Sequence, residues 1–349
     1  MLRLIDANLN RAREGTRVLE DVARFLLNDR TLTERLRVLR HALGDMVRPL
    51  TLPLVAARRA AEDVGGPSAI RAVIPRTGLD SLVAANARRV AESLRVLEEC
   101  AKLPDAPAAL AAATLERARF EIYELERLLL GGITRRTKRE MVRGLYVIID
   151  PAMTAGRDPV AIAQDAIAGG ARVIQWRDKE RPKGVQLTPA RRIRELCQRE
   201  GALFFINDHP DLAVAVDADG VHVGQKDLPL PVVRRMLRLD QLVGVSTATG
   251  EEARLAVAED ADYLAVGAIF PTQSKSDTRP AGLETLRAVR AEIDRPLVAI
   301  GGITPENVGH VVAAGADAVA VISAVTLAPD VRAAARKLVE EIAGARGHD

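Results

Sequence analysis

Three polar side chains at alternate positions follow an apolar run in the middle of the chain. The segment 172–179 reads RVIQWRDK, so a run typical of a buried strand ends in Gln175, Arg177 and Lys179. Because successive side chains of a strand point to opposite faces, these three side chains would point to the same side. An amide, a guanidinium and an ammonium group at one strand end predict a site that binds an anion.

Two carboxylates follow the next two apolar runs of the chain. Asp208 lies in the motif INDH, and Asp227 lies in the motif GQKD. Carboxylates on neighbouring strand ends suit Mg²⁺, an ion that commonly takes one or two carboxylates together with phosphate oxygens of a substrate. Three cations, Arg177, Lys179 and Lys275, would neutralise a polyanion around such an ion. The sequence therefore predicts a magnesium site that binds a diphosphate.

The elements that carry these residues alternate regularly from Gly144 onward. Short Val/Ile-rich runs are accompanied by amphipathic helical patterns eight times, which predicts a (β/α)₈ barrel, the TIM-barrel fold, over 144–349. A doubly wound open sheet is the alternative, but the glycines after the runs do not form GxGxxG, and the eightfold count favours closure. In such a barrel the chemistry lies where strands end. The predicted strands are 145–150, 172–177, 202–207, 220–224, 242–246, 263–270, 296–301 and 318–323.

A glycine-rich turn near the end of the barrel predicts a second anion site. The motif IGGIT contains Gly301 and Gly302, and the last predicted strand ends in Ile322 and Ser323. Barrels of this kind bind phosphate here through backbone N–H groups and a helix N-terminus, which Thr304 would open. The glycines could instead serve only tight turns. One substrate with a diphosphate and another with a monophosphate would indicate a transfer reaction in which pyrophosphate leaves.

The first part of the chain has a different pattern. Residues 1–130 read as helices throughout, and a basic segment led by two glycines, 131–143, is interpreted as a linker to the barrel domain at 144–349. The segments 7–21 and 85–99 repeat each other, and each is followed by a second helical stretch. The economical model is an all-α domain of two αα-hairpins that precedes the barrel.

The repeated polar residues of this helical domain allow two interpretations. Asn8 and Arg17 of the first copy match Asn86 and Arg95 of the second copy. Shared residues of these types could form a binding site. The spacing of the arginines and glutamates also fits helix-stabilising ion pairs, and that structural interpretation is favoured.

Composition excludes several classes of protein. The chain of 349 residues has a formal net charge of +3 and only 3% aromatic residues, without a block of like charge, so nucleic-acid binding is not expected. It has no apolar run of 18 residues and no signal-like start, which predicts a cytoplasmic protein without a membrane span. The isolated Cys100 and Cys197 agree with a reducing compartment. Small phosphorylated molecules are the expected partners, and a homo-oligomer is left open.

Seven motifs in this order resemble the thiamine-phosphate synthase family: IQWRDK, IND, GVHVGQKD, GVS, PTQSK, IGGIT and VISAV. The resemblance covers 143–345, and the helical domain resembles the N-terminal extension of some bacterial members. It implies an enzyme of thiamine biosynthesis, a transferase that uses Mg²⁺. Such an enzyme joins 4-amino-2-methyl-5-(diphosphooxymethyl)pyrimidine to a thiazole phosphate or its carboxylate and releases pyrophosphate.

The resemblance also implies roles for single residues. Asp208 and Asp227 would bind Mg²⁺, and three cations would act in catalysis: Arg177, Lys179 and Lys275. The residues that would hold the pyrimidine diphosphate are Gln175, Arg177, Lys179, Asn207, Ser246 and Lys275. The residues that would hold the thiazole phosphate are Thr272, Ser274, Gly302, Ile322 and Ser323.

One departure from the family pattern concerns the loop after the fifth strand. It carries Ala248 where many members have a histidine, which puts a proton-transfer role of that loop in doubt. The alternative with the same fold is the related thiazole tautomerase, which needs no diphosphate site. The alternative outside enzymes is a binding or regulatory protein of the thiamine pathway. The carboxylate pair and the motif that contains Arg177 and Lys179 favour the synthase.

Overall fold

The chain folds into two compact units, Met1–Thr134 and Arg135–Asp349. The computed structural model describes residues 1–58, 76–272 and 280–347. Two residues of the predicted site, Ser274 and Lys275, lie outside the described residues. Among the helices that the structure describes, none combines the length and the apolar character that a membrane span requires.

The first unit is helical, as the sequence predicts. Its two repeats form helices that bury apolar side chains, for example Leu9 and Leu19 in the first copy and Val90 in the second. The two helices approach closely at Gly15, where a Cβ atom would lie 2.6 Å from Cγ2 of Val90. The helices are α1 (Leu2–Asp21), α2 (Arg30–Met46), the short α3 (Thr51–Ala56), α4 (Leu79–Cys100) and α5 (Ala112–Glu140), whose residues from Arg135 onward belong to the second unit.

The repeated polar residues make contacts within their own helices. Asn8 and Asn86 each donate a side-chain N–H to the backbone carbonyl four residues earlier, at 2.9 Å. Arg17 and Arg95 each pair with acidic side chains three and four residues later. These contacts support the structural interpretation of the repeat.

The predicted linker 131–143 is wrong over most of its length, because helix α5 continues to Glu140. Two glycines in a helix cost on the order of 1 kcal/mol each, but burial of the flanking apolar side chains offsets that cost. Leu129 and Ile133 are both buried, and Leu27 packs where a Cβ of Gly132 would lie. Only 141–143 connect this helix to the first strand.

The second unit is a closed barrel of eight parallel strands in chain order, so the predicted (β/α)₈ fold is confirmed. Strand β1 pairs with β8 to close the sheet. The strands are β1 (Gly144–Ile149), β2 (Val173–Trp176), β3 (Leu203–Asn207), β4 (Gly220–Val223), β5 (Leu242–Thr247), β6 (Tyr263–Gly267), β7 (Leu297–Ile300) and β8 (Ala318–Val321). The helices are α6 (Pro159–Ala168), α7 (Lys183–Glu200), α8 (Pro210–Ala215), α9 (Leu230–Met236), α10 (Gly250–Ala258), α11 (Gly282–Glu292), α12 (Val308–Ala313), α13 (Ser323–Thr326) and α14 (Val331–Arg346).

Alternation along the strands separates two cores. Trp176 faces the helices, where its Nε1 donates to Oε1 of Gln186 at 3.1 Å. Tyr146, Phe205 and Tyr263 face the barrel interior instead. The period of two therefore places the neighbours of Trp176 on the inner side.

The barrel interior is filled by unequal side chains. Tyr263 is fully buried, and it occupies the space beside Gly244 on the neighbouring strand. A Cβ atom at Gly244 would lie 2.0 Å from Cζ of Tyr263. The absence of a side chain at Gly244 is therefore what allows a tyrosine at the centre of the barrel.

Three aspartates at the amino ends of alternate strands hold the opposite end of the barrel together. Asp219, Asp262 and Asp317 each precede a strand and accept a backbone N–H from the strand before it, at 2.8–3.0 Å. Asp219 and Asp262 are buried, and carboxylates buried this deeply require cationic partners as well. Arg135 and Arg234 supply them to Asp262, at 2.7 and 2.6 Å.

Replacement of Arg135 by alanine is predicted to destabilise the barrel. Asp262 has no exposed surface and, among the described residues, would keep only Arg234 in salt-bridge contact, so we expect a loss of about 2 kcal/mol. Urea unfolding followed by fluorescence of Trp176, the only tryptophan of the chain, measures the barrel unit. Arg332→Ala removes a half-exposed pair with Asp165 and should cost less than about 1 kcal/mol. Equal losses in the two variants would contradict the prediction.

The substitution Gly244→Ala is predicted to destabilise the same unit by about 1–3 kcal/mol, because the new methyl group overlaps the ring of Tyr263. Gly184→Ala is the matched control, since nothing lies within 4 Å of a Cβ atom at that helical position. The control should match the parent protein or exceed its stability by up to about 1 kcal/mol. Both are measured by unfolding with Trp176 fluorescence. An unchanged midpoint for Gly244→Ala would show that Tyr263 can move aside.

Candidate active site

A cavity of about 590 Å³ opens at the carboxyl ends of the strands. Its lining comes from the ends of β2, β4, β5, β6, β7 and β8 and from the loops that follow them, so residues distant in sequence meet there. Eight of the residues predicted for the site line this cavity: Arg177, Lys179, Asp227, Ser246, Thr272, Gly302, Ile322 and Ser323.

Arg177 is the fixed cation of the cavity. Its side chain is 11% exposed and pairs with Asp150 at the end of β1. Its Nε is buried and has no hydrogen-bond partner among the residues that the structure describes. A guanidinium group held by one carboxylate, with a buried N–H still unused, suits an anionic ligand that brings its own oxygen atoms.

Lys179 is the exposed cation of the same strand end. Its side chain is 54% exposed, and its Nζ lies 3.2 Å from Oδ2 of Asp208. An exposed ammonium group on a flexible stem adapts its position to a ligand more readily than the buried Arg177. The strand end thus offers one fixed and one adaptable positive charge.

Asp208 and Asp227 lie close enough to affect each other. Burial raises the pKa of the Asp227 carboxyl, and the adjacent Asp208 carboxyl raises this pKa further, while the N–H of Gly224 opposes the shift. Asp208 has a positive φ of 60°, and its N–H donates to the carbonyl of His222 at 2.8 Å. Two oxygen-donor groups that repel each other form a site suited to a divalent cation.

Magnesium fits this donor set. Among the described residues there is no group of three or more His, Cys, Asp or Glu side chains that could hold a metal ion. Two carboxylates are enough for Mg²⁺, because this ion keeps several waters or takes phosphate oxygens from a substrate. Asp208 and Asp227 would be the protein's contribution.

A second cavity of about 480 Å³ adjoins the first. Lys179 and Asp227 line both, and Asp208 lines the second, together with Lys183 and Asp211. Lys183 and Asp211 pair with each other at 2.8 Å. The carboxylate pair therefore stands at the border between the two cavities.

Two predicted residues are buried beside the main cavity and do not line it. Gln175 is 2% exposed, and its Nε2 donates to the hydroxyl of Tyr146 at 2.8 Å. Asn207 is 7% exposed. Neither Gln175 nor Asn207 is among the residues that line the cavity.

Gln175 begins a chain of hydrogen bonds that crosses the barrel interior. The hydroxyl of Tyr146 lies 3.0 Å from that of Tyr263, which lies 3.0 Å from Nδ1 of His222. Nε2 of His222 is 2.9 Å from Oγ of Ser246, a residue that lines the cavity. In addition to Gln175 on β2, the strands β1, β4, β5 and β6 thus contribute one polar group each to a continuous path.

The glycine turn after β7 has a conformation that requires glycine. Gly301 and Gly302 have φ values of 103° and 63°, and a Cβ at Gly302 would lie 2.5 Å from the carbonyl oxygen of Pro271. The turn therefore needs these glycines whether or not a phosphate binds. Helix α12 begins at Val308, later than the expected start at Pro305 after the cap Thr304. In the turn between them, the side chain of Asn307 accepts from the N–H of Thr304.

The sequence interpretation missed Asp150, Tyr146 and Tyr263, and gave His222 no role. Alternation contained the signal for the interior residues, because Tyr146, Tyr263 and His222 occupy inward positions of their strands. Asp150 directly follows β1, where a strand-end carboxylate could have been paired with Arg177. Which inward groups touch each other depends on the barrel's closure and could not be read from the chain.

Two family models match separate parts of the chain. The model described as thiamine monophosphate synthase matches residues 145–325, and the model described as the ThiD2 family matches residues 3–128. Their bounds agree with the barrel and with the helical unit.

Three proteins illustrate how much of the chain has relatives. The thiamine-phosphate synthase of Synechocystis sp. is 42% identical over 93% of this chain and 91% of its own. That of Moorella thermoacetica is 52% identical over 58% of this chain and 97% of its own. The structure of a thiamine phosphate pyrophosphorylase from Pyrococcus furiosus superposes with a TM-score of 0.56, at 38% identity, over 60% of this chain and 98% of that one. Because its motifs meet at one rim and relatives match it along nearly its whole length, the chain belongs to the thiamine-phosphate synthase family, whose members are transferases.

Proposed function

We propose that the chain joins 4-amino-2-methyl-5-(diphosphooxymethyl)pyrimidine to a thiazole phosphate or its carboxylate, with release of pyrophosphate and assistance by Mg²⁺. The observation that carries the proposal is the gathering of predicted cations, a carboxylate and the glycine turn around one cavity of about 590 Å³. Family membership supports the same reaction. The expected partners are these small phosphorylated molecules.

The leaving diphosphate would lie at the end of β2. Arg177, held by Asp150, and the adaptable Lys179 would bind its oxygens, and Lys275 is proposed as a third cation. As the bond from carbon to oxygen breaks, negative charge accumulates on the diphosphate, and preorganised cations stabilise that charge. Mg²⁺ held by Asp208 and Asp227 would supply further charge neutralisation there.

The second substrate would lie at the carboxyl ends of β7 and β8. Gly302, Ile322 and Ser323 line the cavity, and their backbone N–H groups would hold its phosphate. Thr272 and Ser274 would contribute hydroxyls. Anchored in this way, the thiazole nitrogen would face the carbon that loses the diphosphate. Positioning of one reactant against the other is then the main contribution of this side.

The substitution Asp227→Asn tests the metal assignment. The amide keeps an oxygen for the N–H of Gly224 but removes the charge, so we expect pyrophosphate release with Mg²⁺ to fall by at least about 10²-fold while the protein stays folded. Release is measured in a coupled phosphate assay, and folding by Trp176 fluorescence.

The matched control for that variant is Asp165→Asn, the same change at a half-exposed position of helix α6. It should release pyrophosphate at the parent rate. Undiminished turnover of Asp227→Asn with Mg²⁺ present would exclude Asp227 as a metal ligand.

The barrel unit is proposed to hold the whole synthase site. In support, the relative from Moorella thermoacetica matches only 58% of this chain yet nearly all of its own length. A fragment of residues 135–349 is expected to keep measurable synthase activity. A folded fragment without activity would mean that the helical unit contributes to the site.

The start of the fragment matters for its stability. A fragment of residues 141–349 lacks Arg135, which pairs with Asp262. It also lacks Lys138, which pairs with Asp219 and Asp240. We expect it to keep measurable activity but to unfold at a lower urea concentration than 135–349. Equal midpoints for the two fragments would show that the helix end is dispensable.

A further inference from the structure

The buried chain of hydrogen bonds from Gln175 to Ser246 has a direction. Nε2 of Gln175 donates to the hydroxyl oxygen of Tyr146 at 2.8 Å. If Tyr146 also accepted from Tyr263, its own proton would lack a partner among the described residues of a fully buried interior, at a cost of about 1–3 kcal/mol. Tyr146 therefore donates to Tyr263.

The same reasoning continues to the cavity. Tyr263 accepts from Tyr146 and donates to Nδ1 of His222, 3.0 Å away. A neutral imidazole whose Nδ1 accepts carries its proton on Nε2, and Nε2 lies 2.9 Å from Oγ of Ser246. Burial raises the pKa of both tyrosine hydroxyls, which keeps them protonated and able to donate.

We propose that Tyr146, Tyr263 and His222 are positioning residues that make the hydroxyl of Ser246 a hydrogen-bond donor toward the cavity. Because Oγ of Ser246 already accepts from His222, its own proton is directed to a ligand. The matching ligand atom is an acceptor, and a ring nitrogen of an aminopyrimidine is such an atom. The identity of this ligand rests on the proposed function, whereas the direction of the chain does not.

Kinetics of the full-length protein test the effect on the substrate. Tyr263→Phe removes the central hydroxyl and keeps the ring, so kcat/KM for the pyrimidine diphosphate should fall roughly 2- to 10-fold. The value for the thiazole phosphate should not change. Tyr123→Phe, the same change at the one tyrosine of the sequence outside the barrel unit, should leave both values unchanged. If Tyr263→Phe lowered kcat/KM equally for both substrates, the effect would be a general structural one and the proposal would be overturned.

A double substitution separates positioning from packing. If Tyr263 acts only through Ser246, then Tyr263→Phe added to Ser246→Ala should lower kcat/KM no further than Ser246→Ala alone. Independent losses that multiply would contradict the proposed path. Thermal unfolding of each variant identifies any variant that fails to fold. In that case His222→Gln interrupts the hydrogen-bond chain at a second point, and it should likewise lower kcat/KM for the pyrimidine diphosphate and not for the thiazole phosphate.

Nitrogen-15 NMR of labelled histidines tests the direction without any substrate. The signals of His222, assigned by comparison with His222→Gln, should show the proton on Nε2 in the parent protein, and Tyr263→Phe should weaken that preference. A proton on Nδ1 in the parent would reverse the chain and overturn the inference. If the parent makes no thiamine phosphate, the proposed function fails, while the NMR result still decides the direction of the chain.

Discussion

Closure of the sheet between β1 and β8 is the constraint on which the rest of the barrel unit depends. Once closed, each strand has two parallel neighbours, and all eight carboxyl ends point to one rim. Because side chains alternate along a strand, every strand must place every second residue in a shared interior. Loops after different strands can then line one cavity, although their residues lie far apart in the chain.

The closed interior demands that its polar groups satisfy one another. Tyr146, Tyr263 and His222 are buried where water is excluded, so their hydrogen-bonding groups must find partners on neighbouring strands. Gly244 leaves the room that Tyr263 needs. Packing and hydrogen bonding at the centre are thus linked, and the group at the upper end of the network, Ser246, faces the cavity.

Charges at the two ends of the barrel serve different purposes. At the amino ends, Asp262 accepts a backbone N–H and pairs with two arginines, so its charge is compensated within the fold. At the carboxyl ends, Asp227 lies beside another carboxylate, and Arg177 retains a buried N–H without a partner among the described residues. The first arrangement stabilises the fold, and the second is suited to a ligand that brings complementary charge.

The sequence by itself determined the eight strands, their chain order and the rim positions of Arg177, Asp227 and Ser246, because period-two alternation and strand ends are local properties. Only the tertiary structure decided that Gln175 is buried and donates to Tyr146 and that helix α5 continues through 131–140. Those outcomes depend on which side chains meet across the closed sheet or inside the helical unit. Such contacts join residues distant in the chain, and no local pattern encodes them.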